Sequence, residues 1–248
     1  MQKPGSPYGF GDGFRDGLAI GLGYLAVSFG FGIMAVAAGL RIAETMLISM
    51  TNLTSAGQAA GVQILGSLLP AGQVTFAGLI SMVLTQLVIN LRYALMGVSL
   101  TQRLDGGMAG GRRMVYAMFI TDEIYAVAYS KKELVGARYF SGLAVAPYLG
   151  WALGTLLGAV AGHILPESVT RALGVALYAM FIAIILPPMK TEKGVLACVL
   201  MSAGISCVLE FVPWFQGLPE GFPVIISAVT AAAAMALIRP LGEEAQQA

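Results

Sequence analysis

Charged residues are scarce in this sequence. Its 248 residues include 14 Lys and Arg and 13 Asp and Glu, together 11% of the chain, whereas a soluble domain carries about 25%. So few charges cannot give a globule of this size a solvated surface. A hydrophobic content of 57% excludes a disordered chain. A net charge of +1 without a basic face argues against nucleic-acid binding. The expected solvent is therefore a lipid bilayer.

Residues that carry enzyme chemistry are also few. His163 is the only histidine, and Cys198 and Cys207 lie about 13 Å apart along one predicted helix, too far for a disulfide. The sequence contains no HExxH zinc motif, no GxSxG elbow and no P-loop. We therefore expect no enzyme activity, no cofactor and no metal site. The first apolar stretch is too long for a cleavable signal peptide.

Long uncharged stretches are abundant instead. Residues 45–91 contain no Asp, Glu, Lys or Arg, and a membrane-spanning helix needs only about 20 apolar residues. These stretches predict an all-α polytopic membrane bundle of seven or eight spans, forming a single transport domain over residues 1–248. The predicted segments are 14–39, 45–68, 73–100, 112–130, 137–163, 168–187, 194–211 and 221–239.

Two of the eight segments are unusual for lipid-facing helices. Segment 45–68 is polar and glycine-rich, and segment 112–130 is short and contains two carboxylates. Each is either a plain span, a broken helix, a re-entrant segment or a helix buried inside the bundle, and a break is expected near residues 52–61. The glycine-rich runs 55–70 and 154–166, which both end at a proline, are compatible with a diverged internal repeat.

The distribution of basic residues favours a cytoplasmic N-terminus. With eight spans, the inner side holds Lys3, Arg15, Lys131, Lys132, Arg138, Lys190, Lys193 and Arg239, and the outer side holds Arg41, Arg103, Arg112, Arg113 and Arg171. Eight basic residues against five follow the positive-inside rule.

Small residues recur every four positions on two predicted helices. On the later helix they are Gly142, Ala146, Gly150, Gly154, Gly158 and Gly162, and on the first helix they are Gly13, Gly17 and Gly21. Such a stripe lets a neighbouring backbone approach closely. It indicates either tight packing within one subunit or an interface between subunits or moving parts.

A first candidate site lies in the polar part of segment 45–68. Its members are Asn52, Thr54, Ser55, Gly57 and Gln58. Unwinding there would expose backbone groups to a cavity, where a half-helix N-terminus could hold a carboxylate and free carbonyl oxygens could hold an ammonium group. The alternative is a straight helix whose polar side chains bond to their own backbone.

A second candidate site contains Asn90, Arg92 and Tyr93. Arg92 is the only cation deep within an apolar stretch, and such a residue usually faces a cavity or a partner. It could bind a carboxylate through two hydrogen bonds. Alternatively, its long side chain reaches the membrane interface.

A third candidate site is formed by Asp122 and Glu123, which follow Thr121. Successive helix positions point about 100° apart, so the two carboxylates cannot share one partner squarely. One could pair with Arg92, and the other could carry a proton through the membrane. The alternative is that both cap a broken helix at the surface.

Several motifs resemble the AzlC family, the large subunit of bacterial branched-chain amino acid exporters. They are the run from Gly13 to Gly21 with Gly30-Phe-Gly32 and Ala38-Gly39-Leu40, Ser55-Ala-Gly57-Gln58, Asn90-Leu-Arg92-Tyr93, Gly97-x-Ser99-Leu100, Thr121-Asp-Glu123, and Trp151-x-x-Gly154-Thr155-x-x-Gly158. The resemblance implies location in the bacterial cytoplasmic membrane. It also implies a small hydrophobic AzlD-like partner subunit and export of leucine, isoleucine, valine or related amino acids.

The sequence departs from the family pattern at one place. Many members read Phe-Ala-Gly-Ser-Ala-Gln where this chain has residues 53–58, Leu-Thr-Ser-Ala-Gly-Gln. This departure bears on which substrate the chain binds, more than on whether the chain is a transporter. A zwitterionic amino acid would place its carboxylate near Arg92 or Ser55–Gln58 and its ammonium group near Asp122 or Glu123, one of which would carry the coupling proton.

Two other classes of function remain open from the sequence. The chain could be a channel, or a non-transporting assembly subunit of a membrane complex. A transporter saturates and exchanges substrates across the membrane, whereas a channel conducts without exchange. A homo-oligomer is also compatible with the sequence.

Overall fold

The fold is a set of α-helices. The computed structural model describes residues 6–68, 75–108, 110–162, 182, 185–186, 189–215, 217–218 and 222–238. No strand occurs within these ranges, apart from a single bridge between Leu104 and Val135. Four described helices are long and apolar enough to cross a membrane: Phe10–Ala37, Phe76–Arg103, Ala137–Gly162 and Lys193–Phe211. The predicted all-α membrane fold is confirmed. His163 and almost all of segment 168–187 lie outside the described residues.

Nine helices are labelled here in chain order among the described residues. They are α1 (Phe10–Ala37), α2 (Ile42–Thr51), α3 (Ser55–Leu68), α4 (Phe76–Leu100), α5 (Gly111–Ala117), α6 (Asp122–Tyr129), α7 (Ala137–Gly162), α8 (Lys193–Phe211) and α9 (Phe222–Ile238). Short 3₁₀ turns follow α4 at Thr101–Arg103 and α8 at Pro213–Phe215.

The chain divides into two compact units. The first comprises Met1–Gln63 and Ile89–Leu177, and the second comprises Ile64–Val88 and Tyr178–Ala248. Within the second unit α8 packs against α9. All the sequence-predicted site residues belong to the first unit, which is therefore described in more detail.

Helices α1 and α7 pack together through their glycine stripes. A Cβ atom on Gly13 would overlap the carbonyl oxygen of Tyr139, and one on Gly32 would overlap that of Thr155. Because contacts advance along both helices together, α1 and α7 run parallel. The stripes therefore serve tight packing within one chain, the first of the two alternatives that the sequence left open.

The end of α1 follows from a left-handed glycine. Gly39 has φ of 93°, a conformation that only glycine adopts without strain. The Gly39 N–H donates to the Val36 carbonyl at 3.0 Å, and the Leu40 N–H donates to the Ala35 carbonyl at 3.1 Å. This Schellman arrangement satisfies the last carbonyl groups of α1 and turns the chain toward α2.

Helices α2 and α3 form a first hairpin whose tip is residues 52–54. The amide nitrogen of the Gln58 side chain donates to the carbonyl oxygens of Asn52 and, at 3.4 Å, Ile48. In a helix continuing straight on, ten residues would separate Gln58 from Ile48 by about 15 Å. The chain therefore turns back at the tip. The helix break predicted near residues 52–61 is confirmed, and α2 and α3 replace a single straight helix.

Helices α5 and α6 form a second hairpin whose tip is residues 118–121. Glu123, at the start of α6, bonds to Tyr24 in the middle of α1, whereas Lys131, just after α6, pairs with Asp16 near the start of α1 at 2.7 Å. Eight residues, or about 12 Å of helix, separate each pair of anchor points. Helix α6 therefore runs antiparallel to α1.

Helix α5 runs in the opposite direction to α6. The Tyr116 hydroxyl lies 2.8 Å from that of Ser141, and the ring of Phe119, at the tip, packs edge-on against Tyr148 farther along α7. The predicted segment 112–130 is thus a pair of short helices. Helix α5 runs into the first unit from the end where α7 begins, and α6 returns to that same end.

Helix α4 is antiparallel to α1 and α7. Asn90 in its middle contacts Thr54 at the first tip at 2.8 Å. Its C-terminal end lies where α1 and α7 begin, because Leu104 bridges to Val135 and the carboxylate of Asp105 accepts from the Ser6 N–H at 3.4 Å. Helix α4, followed by the hairpin of α5 and α6, thus has the same arrangement as α1, followed by the hairpin of α2 and α3, but it runs in the opposite direction. The prolines that suggested a repeat at 55–70 and 154–166 lie outside the described residues.

The direction of α4 corrects one expectation about the basic residues. Arg103 ends the 3₁₀ turn after α4, and Arg112 and Arg113 begin α5. All three lie at the end of the first unit where α1 starts, and their assignment to the opposite side was wrong. The error arose because segment 45–68 was counted as one crossing of the membrane.

The glycine contact can be tested by a matched pair of substitutions on α1. Gly21→Ala places a methyl group 2.6 Å from the Ala146 carbonyl oxygen, and the overlap should cost about 1–3 kcal/mol. Gly23→Ala meets nothing within 4 Å and should be neutral or slightly stabilising because alanine favours a helix. Thermal unfolding followed by circular dichroism should separate the two variants, and equal midpoints would contradict the packing described.

Candidate functional site

The tip of the first hairpin is held by polar side chains. Thr54 donates its hydroxyl hydrogen to the side-chain oxygen of Asn90 on α4 at 2.8 Å. The amide nitrogen of Gln58, in the first turn of α3, donates hydrogen bonds to the carbonyl oxygens of Ile48 in α2 and Asn52 at the tip. Because Ser55 and Gly57 also lie in this first turn, the N-terminus of α3 is at the tip. The polar residues therefore do not line a straight helix.

The tip of the second hairpin carries the two carboxylates. Thr121 caps α6 by accepting the Ile124 N–H at 3.3 Å, so Asp122 and Glu123 form the first helical turn. Carboxylates are stabilised at this end of a helix by the positive pole of its dipole. The interpretation that the two carboxylates lie at the end of a broken helix is correct. The start of α6 makes its contacts with other residues of the first unit.

The two carboxylates have different partners, as their spacing predicts. An Arg92 guanidinium nitrogen lies 2.9 Å from an Asp122 oxygen, whereas the Tyr24 hydroxyl donates to Glu123. Arg92 also donates to the Tyr93 hydroxyl at 3.1 Å and lies 5.0 Å from the centre of that ring. Asp122 is thus neutralised by a cation, while Glu123 has only the Tyr24 hydroxyl among its described polar partners.

Both tips lie at the same depth along α1 and α7. Tyr24 is at the midpoint of the 28-residue α1 and packs edge-on against Trp151 of α7, with ring centres 5.3 Å apart. Leu53 of the first tip belongs to the same buried cluster as these two rings, and Glu123 of the second tip bonds to Tyr24. The predicted residues of all three candidate sites are therefore gathered around one level of the bundle.

Three buried polar atoms in this region have no hydrogen-bond partner among the described residues. They are the side-chain oxygen of Gln58, the indole nitrogen of Trp151 and the Nε atom of Arg92. In Gln58 the amide nitrogen is the atom that faces two carbonyl groups, because these require a donor, and the side-chain oxygen is therefore the unpaired atom. Buried polar groups are normally paired, so these three atoms make the region a candidate binding site.

Tyr24 and Trp151 were not predicted from the sequence. Both lie on helices whose glycine stripes indicated packing rather than a site. One signal was available: tryptophan favours the headgroup level of a membrane, whereas Trp151 is 3% exposed in the middle of α7. A mid-helix tryptophan is therefore a better indicator of a site than the composition around it.

An apolar cavity lies beside the second tip. It has a volume of about 270 Å³ and is lined mainly by aromatic and aliphatic side chains of α5, the tip and α7. Its wall includes Phe119 and Tyr148, and Tyr148 also packs against the cluster of Tyr24, Leu53 and Trp151. Among the described residues no group of three His, Cys, Asp or Glu could hold a metal ion.

Comparisons with known proteins place the chain among membrane proteins. The sequence model described as AzlC protein matches residues 19–165. Inner membrane protein YgaZ of Escherichia coli is 26% identical over 218 residues, 85% of each chain. An uncharacterized membrane protein of Archaeoglobus fulgidus is 30% identical over 183 residues, 71% of this chain and 76% of the relative. No solved structure matches the chain with significance.

The contact of Gln58 with two carbonyl groups leads to a stability prediction. Gln58 is 1% exposed, and Gln58→Glu replaces its donor by a carboxylate oxygen facing the carbonyls of Ile48 and Asn52. We expect the folded protein to lose about 2 kcal/mol or more. Gln102→Glu, at an exposed position after α4, is the control and should be neutral. Thermal unfolding in detergent measures both variants, and an unchanged midpoint for Gln58→Glu would rule out a stabilising role for these two hydrogen bonds.

Proposed function

The chain belongs to the AzlC family, and we propose that it is a secondary transporter that exports branched-chain or other small hydrophobic amino acids, driven by proton entry. The observation that carries this proposal is the meeting of two helix breaks with Arg92, Asp122 and Glu123 at one depth. Broken helices at mid-depth are a recurrent means of binding substrates in transporters.

The charges around the two tips fit a zwitterion. The first turn of α3 carries Ser55 and Gln58 and no carboxylate, so its positive pole is available to the substrate carboxylate. The first turn of α6 carries Asp122 and Glu123, which would attract the ammonium group. Arg92 holds Asp122 in place at this second pole.

The apolar cavity suits the rest of such a substrate. Its 270 Å³ and its apolar lining accommodate a branched aliphatic side chain, whereas a charged side chain would lose its hydration there without gaining a partner. Nearby Asn90 and Thr54 hold each other, which keeps the first tip in place beside α4.

Glu123 is the better candidate for the proton-carrying group. Asp122 is held by Arg92, and protonating it would leave the half-exposed Arg92 without its counter-charge. Glu123 has no basic partner among the described residues and bonds to the neutral hydroxyl of Tyr24. Gain and loss of a proton there would change the net charge of the site without breaking an ion pair.

The described basic residues support a cytoplasmic N-terminus. In the first unit the end where α1 begins holds Arg15, Arg103, Arg112, Arg113, Lys131, Lys132 and Arg138, whereas Arg41 lies at the other end. This asymmetry is stronger than the sequence alone indicated, because three arginines changed sides. By the positive-inside rule the N-terminal end faces the cytoplasm, in the cytoplasmic membrane of a bacterium.

A small AzlD-like membrane subunit is proposed as the partner. Helix α4 presents an exposed apolar stripe formed by Leu87, Leu91, Leu95 and Val98. These residues lie on one face of the helix, which either lipid or a partner helix can cover. Export assays of the chain with and without the small subunit decide whether the pair is the functional unit, or whether the chain acts alone or as a homo-oligomer.

Proton coupling should depend on Glu123. Glu123→Gln can still accept from the Tyr24 hydroxyl but cannot carry a proton, so leucine efflux driven by a proton gradient should fall at least about tenfold while leucine exchange persists. Asp122→Asn should weaken both activities because Arg92 loses its partner. Glu44→Gln, at an exposed ion pair outside the site, is the control. Full coupled transport by both site variants would eliminate the proton role.

Exchange separates a transporter from a channel. Proteoliposomes loaded with unlabelled leucine should take up labelled leucine transiently above equilibrium, and the rate should saturate with concentration, because one site binds on alternate sides. A channel would show conductance without this overshoot, and a non-transporting assembly subunit would show neither. Liposomes containing the Arg92→Gln variant provide a matched control with the same lipid and protein load.

A further inference from the structure

The indole N–H of Trp151 is an unusual group in the first unit. It is buried and has no hydrogen-bond acceptor among the described residues, and the whole side chain is 3% exposed. Indole N–H is a donor only, so whatever satisfies it must present an acceptor. Tryptophans that serve only packing usually find a partner for this group when buried.

The position of Trp151 connects it to both hairpin tips. Its ring packs edge-on against Tyr24 and shares a buried cluster with Leu53 of the first tip, and the Tyr24 hydroxyl bonds to Glu123 of the second tip. The unpaired side-chain oxygen of Gln58 belongs to the first turn beyond Leu53. An unpaired donor and an unpaired acceptor, both on side chains that are more than nine-tenths buried, therefore border the same tip.

We propose that Trp151 is a substrate-binding residue whose indole N–H donates to the carboxylate of the transported amino acid. The inference rests on the proposed transport function and adds a residue and an orientation to it. The carboxylate lies on the side of Trp151 and the α3 N-terminus, where donors and a positive helix pole are found. The ammonium group lies toward Glu123 of the second tip, which supplies an acceptor.

The electrostatics of the second tip exclude the opposite orientation. Asp122 is paired with Arg92, but Glu123 in the same first turn of α6 has no basic partner among the described residues, and a substrate carboxylate placed there would face this like charge. A charge-assisted bond from a neutral N–H to a carboxylate is stronger than one to a neutral acceptor. Trp151 thus contributes to the recognition of the carboxylate rather than of the aliphatic side chain.

The sequence offers a direct optical test. It contains only two tryptophans, and Trp214 is 89% exposed outside the first unit. In the full chain in lipid nanodiscs, Trp214→Phe leaves Trp151 as the sole tryptophan. Titration with leucine should change its emission saturably, while isoamylamine, which has the same side chain and amine but no carboxylate, should not. Leucine binding by calorimetry without any emission change would overturn the proposal.

A substitution separates hydrogen bonding from packing. Trp151→Phe keeps an aromatic ring against Tyr24 but removes the N–H, and calorimetry should show leucine binding about tenfold weaker, with weak isoamylamine binding unchanged. Trp214→Phe should match the wild type. Equal losses for both ligands would assign Trp151 to packing alone, and no loss would remove it from the site. Absence of any leucine binding by the wild type would instead refute the proposed function, and this inference with it.

Discussion

A helix that begins in the middle of a membrane needs partners for its first N–H groups, because the surrounding lipid provides none. Two helices of this chain, α3 and α6, begin in this way beside the midpoint of α1. At α6 the chain supplies its own anions and a threonine cap. At the first tip the groups in need of a partner are instead the carbonyl groups where α2 ends; the amide nitrogen of Gln58 donates to them, while its oxygen is left unpaired. The polar residues of the site follow from this one requirement.

The contact between α1 and α7 keeps the two tips at a common depth. Backbone atoms of the two helices touch along Gly13–Gly32 and Gly142–Gly158, so neither helix can slide without steric overlap. Ser49 of α2 bonds to Thr155 of α7 at 2.7 Å, while Lys131 after α6 pairs with Asp16 of α1. Each hairpin thus has its own bond to this helix pair, α2 to α7 and the end of α6 to α1. Such a rigid pair with two separately attached hairpins suits alternating access.

The sequence was sufficient to predict the solvent, the helical class and the glycine packing, and it singled out the charged residues of the candidate site. Charge in a membrane is costly, so Arg92, Asp122 and Glu123 stood out from an uncharged background. The direction of the chain was not predictable, because apolar runs such as 45–68 have the length of a span whether the chain crosses or turns back. Tyr24 and Trp151 were missed for a related reason. Their importance depends on which helices meet at their level, and hydropathy carries no information about such tertiary contacts.

The two hairpins differ mainly in charge, and this difference has a mechanistic consequence. Each tip has a threonine immediately before its second helix, Thr54 before α3 and Thr121 before α6. After its threonine, α3 begins with neutral residues, whereas α6 begins with Asp122 and Glu123. Two equal positive poles would both attract the carboxylate of a zwitterion and repel its ammonium group. In the proposed transporter, neutralising one pole with two carboxylates would make the site dipolar, so that a zwitterion would bind in one orientation. Protonation of Glu123 would then weaken the attraction for the ammonium group alone, which would link proton entry to release of the substrate.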